Sequence, residues 1–171
     1  MKLSIIVPFF NEENIIQKMY DALVAEVNKI TKAEFEIIFI NDGSKDRTFE
    51  KMRAIADGDS RVKYISFSRN FGKEAGTIAG LEYATGEAVI LMDGDLQHPP
   101  ALLPRMIEAY EEGYDVVSAR RTRTGEKPHR TFLAKHFYRL ANKMMDIELM
   151  DGVSEFRLFS RKAVSAILSL Q

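Results

Sequence analysis

Apolar runs of four to six residues alternate along this chain with longer amphipathic stretches, and each change of period marks a new element. Leu3 to Val7 is a β-branched run ended by Pro8 and predicts a buried strand. Beyond Phe9-Phe10-Asn11-Glu12-Glu13, residues Ile15, Ile16, Met19, Leu23, Val24 and Val27 fall on one helical face. Asn11 is the predicted N-cap of that helix, with acids in its first turn. Phe35 to Ile40 predicts a second strand, closed by Asn41-Asp42-Gly43-Ser44-Lys45-Asp46, then a helix with Phe49, Met52, Ile55 and Ala56 inward. A third strand, Val62 to Phe67, runs into Ser68-Arg69-Asn70-Phe71-Gly72-Lys73 and a small-residue helix through Ala75, Ala79, Leu81 and Ala84. Ala88 to Met92 is a fourth strand, Pro99-Pro100 breaks the chain before a helix from Leu102 to Tyr110, and Tyr114 to Ala119 is a fifth strand.

Strand and helix in this regular alternation predict an α/β fold, a mostly parallel, Rossmann-like sheet with helices on both faces. From Arg120 to Arg130 the periodicity fails and a basic loop is expected. A helix from Thr131 to about Met145 follows, then Phe156-Arg157-Leu158-Phe159 as a last short strand. The terminal stretch from Ala163 to Gln171 reads as a helix without a cap or breaker, so the expectation is a single domain over 1–171, cut from a longer protein.

Composition narrows the function classes. A length of 171 residues suits one domain with a real core, and a net charge of -1 gives no general attraction to nucleic acid. With no cysteine there are no disulfides and no thiolate metal sites, which fits a reducing compartment. Met1 to Pro8 is too short and too soon interrupted for a signal peptide, and no stretch has the length of a membrane span.

The candidate chemistry sits where strands end. After the fourth strand the polarity switches within one residue to Asp93-Gly94-Asp95. In a parallel α/β sheet, ligands bind beyond the carboxyl ends of the strands. Gly94 would let the backbone turn and bring both carboxylates to one point, where they repel unless a cation lies between them. Oxygen donors without Cys or a His pair favour a hard ion, Mg²⁺ or Mn²⁺, which typically binds substrate phosphates as well. Asn11, Glu12 and Asp42 stand at other strand ends; neighbouring strands lie roughly 5 Å apart, so these groups can line one cleft. Such a cleft would suit a nucleotide diphosphate. Taken singly, Asp93-Gly94-Asp95 is also a polar turn, Asp42 an Asx-turn residue and Glu12 a first-turn helix acid.

Four stretches together carry a family resemblance: Val7-Pro8-Phe9-Phe10-Asn11-Glu12-Glu13, Asn41-Asp42-Gly43-Ser44 with Asp46, Ser68-Arg69-Asn70-Phe71-Gly72-Lys73-Glu74, and Met92-Asp93-Gly94-Asp95-Leu96-Gln97-His98-Pro99-Pro100. In this order they resemble the signatures of family 2 glycosyltransferases, and in wording the polyprenyl-phosphate branch. The resemblance covers essentially the whole chain. It implies an A-type glycosyltransferase fold and inverting, metal-dependent transfer of a sugar from a UDP- or GDP-linked donor to a polyprenyl phosphate.

By that resemblance Pro8, Phe10, Glu12 and Asp42 would hold base and ribose, with Lys73 close to the nucleotide. Asp93, Asp95 and Gln97 would surround Mg²⁺ or Mn²⁺, and Arg120 and Arg130 would meet the acceptor phosphate. Phe156-Arg157-Leu158 would be the closing motif beside the reacting centre, making Glu155, Arg157 and Asp95 the catalytic candidates. Many relatives carry Asp before the closing Phe-Arg, where this chain has Glu155; Asp151 is a second carboxylate nearby. A phosphate acceptor, with a second pKa near 6, is largely ionised at neutral pH and needs no proton removed. The aromatic and basic residues around Phe132 to Met145 suit either a membrane surface or packing on the sheet, and His136 is read as structural; His98, next to the acid pair, either bears on the site or only shapes the loop before Pro99-Pro100. The intact protein is expected at the cytoplasmic face of a membrane, with this fragment soluble, no nucleic-acid partner, and homo-oligomerisation open. An acceptor hydroxyl, or a binding module without turnover, are the competing readings.

Overall fold

In the computed structural model, residues 1–120 and 153–170 are described. The side chains of Arg120, Val153 and Ser154 lie outside that description, as do Arg130, Asp151, His136 and the helix expected from Thr131 to Met145. The elements are β1 (Lys2–Phe9), α1 (Ile16–Val27), β2 (Glu34–Asn41), α2 (Thr48–Gly58), β3 (Val62–Ser66), α3 (Lys73–Tyr83), β4 (Ala88–Leu91), a 3₁₀ turn (Pro100–Leu102), α4 (Leu103–Glu111), β5 (Val116–Arg120), β6 (Val153–Ser160) and α5 (Arg161–Leu168).

These strands form one six-stranded sheet in the order β3-β2-β1-β4-β6-β5. The pairs β1–β2, β1–β4 and β2–β3 are parallel, while β6 runs antiparallel to both β4 and β5. Five strands therefore point one way and β6 alone runs back between two of them. The sheet is mostly parallel, as expected. The insertion of β6 was not visible in its sequence, because a short apolar strand carries no mark of direction.

Alternate residues of the strands face opposite layers. Leu3, Ile5, Val7 and Phe9 pack with Ile37, Phe39 and Ile90 against α1, α2 and α4. Ile6, Ile38, Ile40 and Val89 face α3 and α5. The central strands are buried on both faces, which is why β1 and β2 read as nearly unbroken apolar runs. Helix α3 lies close to the sheet: a Cβ on Gly80 would stand 2.6 Å from Cγ2 of Ile6, and one on Gly76 3.3 Å from Cγ2 of Ile40. Glycines, more than the alanines of that helix, therefore set its seat.

Three local expectations are corrected. β1 does not end at Pro8 but runs to Phe9. β4 stops at Leu91, opposite Ile6, so at Pro8 no strand residue on that side needs the missing N–H. Asn11 is not a helix cap: α1 begins at Ile16, and Asn11 has left-handed backbone, φ 54°. β5 begins at Val116 rather than Tyr114, because Gly113 turns the chain there with φ 101°.

Candidate active site

The loops after β1, β2, β3 and β4 meet above the carboxyl ends of the parallel strands, tied to one another by side chains bonding to backbone. The Asn11 N–H donates to Ser44 Oγ at 3.0 Å, and its Oδ1 accepts from the Lys45 N–H at 2.8 Å. The Glu12 N–H donates to Thr48 Oγ1 at 2.8 Å and the Glu13 N–H to Asp46 Oδ2 at 3.1 Å. Asn tolerates the left-handed backbone that these bonds impose on residue 11.

The loop after β2 is fixed in turn to the approach of α3. Asp42 is buried, its Oδ1 accepting from the Phe71 N–H at 2.7 Å and its Oδ2 from the Gly72 N–H at 3.0 Å. The Asx-type turn belongs to its neighbour: Asn41 Oδ1 accepts from the Ser44 N–H at 3.1 Å. Gly43 makes the close approach, with φ 67° and an ideal Cβ only 2.2 Å from the Arg69 carbonyl carbon, so no larger residue fits. Asp42 thus holds the loop that delivers Lys73 at the start of α3, while its side chain still borders the central cavity.

That cavity, of about 210 Å³, is lined by Pro8, Phe9, Phe10, Glu12, Asp42, Lys73, Gly76, Asp93, Gly94 and Asp95. Seven residues singled out from the sequence, Pro8, Phe10, Glu12, Asp42, Lys73, Asp93 and Asp95, therefore share one cleft. Gln97 does not line it; its side chain is exposed, and its N–H donates to Asp95 Oδ1 at 2.9 Å. Gly94 works differently from the expectation. Its backbone is not left-handed; Leu96 makes that turn, with φ 59°. Gly94 is needed for space, since a Cβ there would lie 2.5 Å from Phe9 Cε1 and 3.0 Å from Glu12 Oε2.

The electrostatics show a deficit of donors. Glu12 Oε2 is buried with no hydrogen-bond partner. Burial, and then the charges of Asp95 and Asp93, push the Glu12 carboxyl above its ordinary pKa. Lys73 is ion-paired with Asp93 and with Glu155 on β6. Burial opposes its ammonium, but the two carboxylates outweigh that and raise its pKa. His98 has both ring nitrogens buried without a partner and rests its ring on Phe156, 6.3 Å between centroids.

Among the described residues no three acids or histidines are grouped so as to hold a metal ion by themselves. Asp93 and Asp95 nonetheless fit a hard cation in their chemistry: both supply oxygen, both line the cavity, and the orphaned oxygen of Glu12 beside Gly94 is a further acceptor there without a donor. Such a pair would hold an ion whose remaining ligands come from a bound anion. Glu155 is 53 % exposed and meets the cleft through Lys73, whereas Arg157 lines an adjoining cavity with it. Of Arg120, the backbone ends β5; Arg130 lies outside the described residues.

Comparison with known proteins agrees with this geometry. The model of the family described as glycosyl transferase family 2 matches residues 4–168. The putative glycosyltransferase CsbB of Bacillus subtilis (strain 168) is 50 % identical over 168 residues, 98 % of this chain and 51 % of that protein. The bactoprenol glucosyl transferase of Shigella phage SfX is 44 % identical over 98 % of this chain and 55 % of its own length. The chain spans about half the length of the curated relatives it matches. Among solved structures, the mannosyltransferase PcManGT from Pyrobaculum calidifontis, in complex with GDP-Man and Mn²⁺, superposes with a TM-score of 0.69 at 21 % identity, covering 96 % of this chain and 46 % of that one. The fold is that of the A-type glycosyltransferases.

Proposed function

This chain belongs to glycosyl transferase family 2, and on that footing we propose that it transfers a sugar from a UDP- or GDP-linked donor to a polyprenyl phosphate, with inversion and with Mg²⁺ or Mn²⁺ on the donor pyrophosphate. The observation that carries this reading is the convergence of Glu12, Asp42, Lys73, Asp93 and Asp95 on one cavity at the carboxyl ends of β1, β2 and β4. The 44 % identity to a bactoprenol glucosyl transferase supports the polyprenyl phosphate as acceptor.

Departure of the sugar builds negative charge on the diphosphate, and positive charge placed there beforehand lowers the barrier. A divalent cation held by Asp93 and Asp95, with Gln97 beside them, would supply that charge as a Lewis acid. Lys73 adds a second positive charge on the same wall. Pro8, Phe10 and Asp42 border the space for base and ribose, and the unpartnered oxygen of Glu12 suits a ribose hydroxyl as donor.

The acceptor phosphate attacks as an anion, so the protein's task is to position it and to neutralise its charge. Arg120 and Arg130 are the proposed forks for its oxygens, together with Arg157 at the adjoining cavity. Glu155 is committed to Lys73 and orients it. That commitment disfavours Glu155 as the free base that a hydroxyl acceptor would need. The 171 residues are proposed as one catalytic domain ahead of membrane-associated segments that work at the cytoplasmic face. Among the described residues no helix is long and apolar enough to cross a membrane.

Isothermal titration of UDP and of GDP, with and without Mn²⁺, beside a mass-spectrometric assay of transfer to a short polyprenyl phosphate, tests the reading. Metal-dependent binding of one nucleotide and a glycosylated lipid phosphate are expected. Nucleotide binding indifferent both to Mn²⁺ and to Asp93→Asn would overturn it.

A further inference from the structure

Lys73 belongs to two cavities at once. It lines the donor cleft, and it lines a second space of about 300 Å³ whose other walls include Glu155, Arg157, Leu91 and Phe159. Its ammonium pairs with one carboxylate from each, Asp93 and Glu155. As the first residue of α3 it stands at the end of a helix where a cation is disfavoured. The two acids, contributed by β4's loop and by β6, are what hold it there.

We propose that Lys73 is an internal counter-ion, which occupies Asp93 until the donor arrives and then yields it to the divalent cation that travels with the pyrophosphate. Metal and nucleotide then bind as one unit, and the bare ion binds poorly. The inference rests on the reading of Asp93 as a metal ligand. Two observations support it. Asp93 is already neutralised by a monovalent cation, and a divalent ion placed beside an ammonium meets direct repulsion. Among the described residues no third acid or histidine joins Asp93 and Asp95 in a group placed to hold the ion by itself. A pyrophosphate changes the balance, because it brings oxygen ligands for the metal and negative charge that Lys73 can share. Glu155 remains as the second partner about which the lysine pivots. Lys73 is thus a positioning residue that also couples metal binding to nucleotide binding.

The test is a titration of Mn²⁺ followed by electron paramagnetic resonance, on the wild type, Lys73→Met and Lys73→Arg, with and without the nucleotide diphosphate that binds. Thermal melts check folding, and Lys73→Gln, which keeps a polar helix start, is expected to behave like Lys73→Met. The wild type should bind Mn²⁺ weakly alone and much more tightly with nucleotide. Removal of a neighbouring positive charge should tighten Mn²⁺ alone by about tenfold and shrink the gain from nucleotide. Lys73→Arg should match the wild type. If the neutral variants bind bare Mn²⁺ no better than the wild type, the inference is overturned while the proposed function stands. If the wild type takes no Mn²⁺ even with nucleotide, the proposed function falls and the inference with it.

Discussion

Glu12 and Glu36 are both set into the same sheet, one above its carboxyl end and one at its amino end, and the protein treats them oppositely. Glu36 accepts from Ser4 Oγ at 2.6 Å, from the Thr85 N–H at 2.6 Å and its hydroxyl at 2.8 Å, and from Lys63 Nζ at 2.9 Å. Lys2 Nζ lies 3.3 Å away. Burial alone would raise its pKa, but these donors hold the carboxyl far below the usual range. Glu12 has an oxygen with no donor at all, and burial with two neighbouring acids moves it the other way. Folding supplied every partner at one end of the sheet and left a carboxylate short at the other. Buried polar groups are normally satisfied, so the shortfall marks where a ligand completes the structure.

The contrast can be broken most directly at the carboxyl end. Asp95→Asn keeps the oxygen that accepts from the Gln97 N–H but removes the charge. Sugar transfer should fall by about 100-fold or more, as should transfer by the wild type in EDTA, with the melting temperature almost unchanged. Steady-state kinetics beside a thermal melt would show it; full activity would place the metal elsewhere.

At the amino end the same kind of change should strike stability and leave the site alone. Glu36→Gln puts an NH₂ where one carboxylate oxygen accepts, facing either the three donors on Oε1 or the two lysines on Oε2, at a cost of about 1–3 kcal/mol. Urea unfolding should register that loss, while nucleotide affinity stays at the wild-type value.

Acid titration sharpens the difference. Glu36 is depressed in the folded state, so the unfolded chain takes up the proton first. Its contribution is whole above the ordinary glutamate pKa of about 4.3 and is lost as pH falls from there. Asp59, which bonds to Arg61 and is depressed to about 2, adds to the same slope. Glu36→Gln should therefore flatten the fall of stability between about pH 5 and pH 2, measured as unfolding free energy against pH.

Glu12→Gln is the smallest effect and carries the opposite sign. A carboxyl whose folded pKa is raised penalises the fold above that pKa, and the penalty vanishes below the unfolded value. At pH 7 the variant should melt about 1–3 °C higher, with the gain gone in acid, and should bind nucleotide more weakly. A lower melting temperature at pH 7 would mean that Glu12 is structural after all.

Much of the site was legible because each signature stretch follows a strand, and strand ends in a parallel sheet converge. Glu12, Asp42, Asp93 and Asp95 could be placed on one cleft from that rule alone. The particular work of each residue was less visible. In sequence Asp42 suggests a turn former or a ligand of base and ribose, and its two bonds to the Phe71 and Gly72 N–H groups depend on a loop some thirty residues further along the chain. In sequence Gly94 suggests freedom to turn, whereas the ring of Phe9 and the carboxyl of Glu12 make it a matter of space. The turn fell to Leu96, which nothing in its own sequence singles out.

Sequence alone determined the order of the elements, the α/β class and the positions at which polar groups interrupt strands, because hydrophobic period and turn chemistry are properties of adjacent residues. Tertiary structure alone decided that β6 runs backward between β4 and β5, and thereby that Glu155 reaches Lys73 and that Lys73 bridges two acids. Those contacts join residues far apart in the chain. They depend on strand order and on how closely α3 can seat through Gly76 and Gly80, and on charges whose strength is set by what else is buried around them.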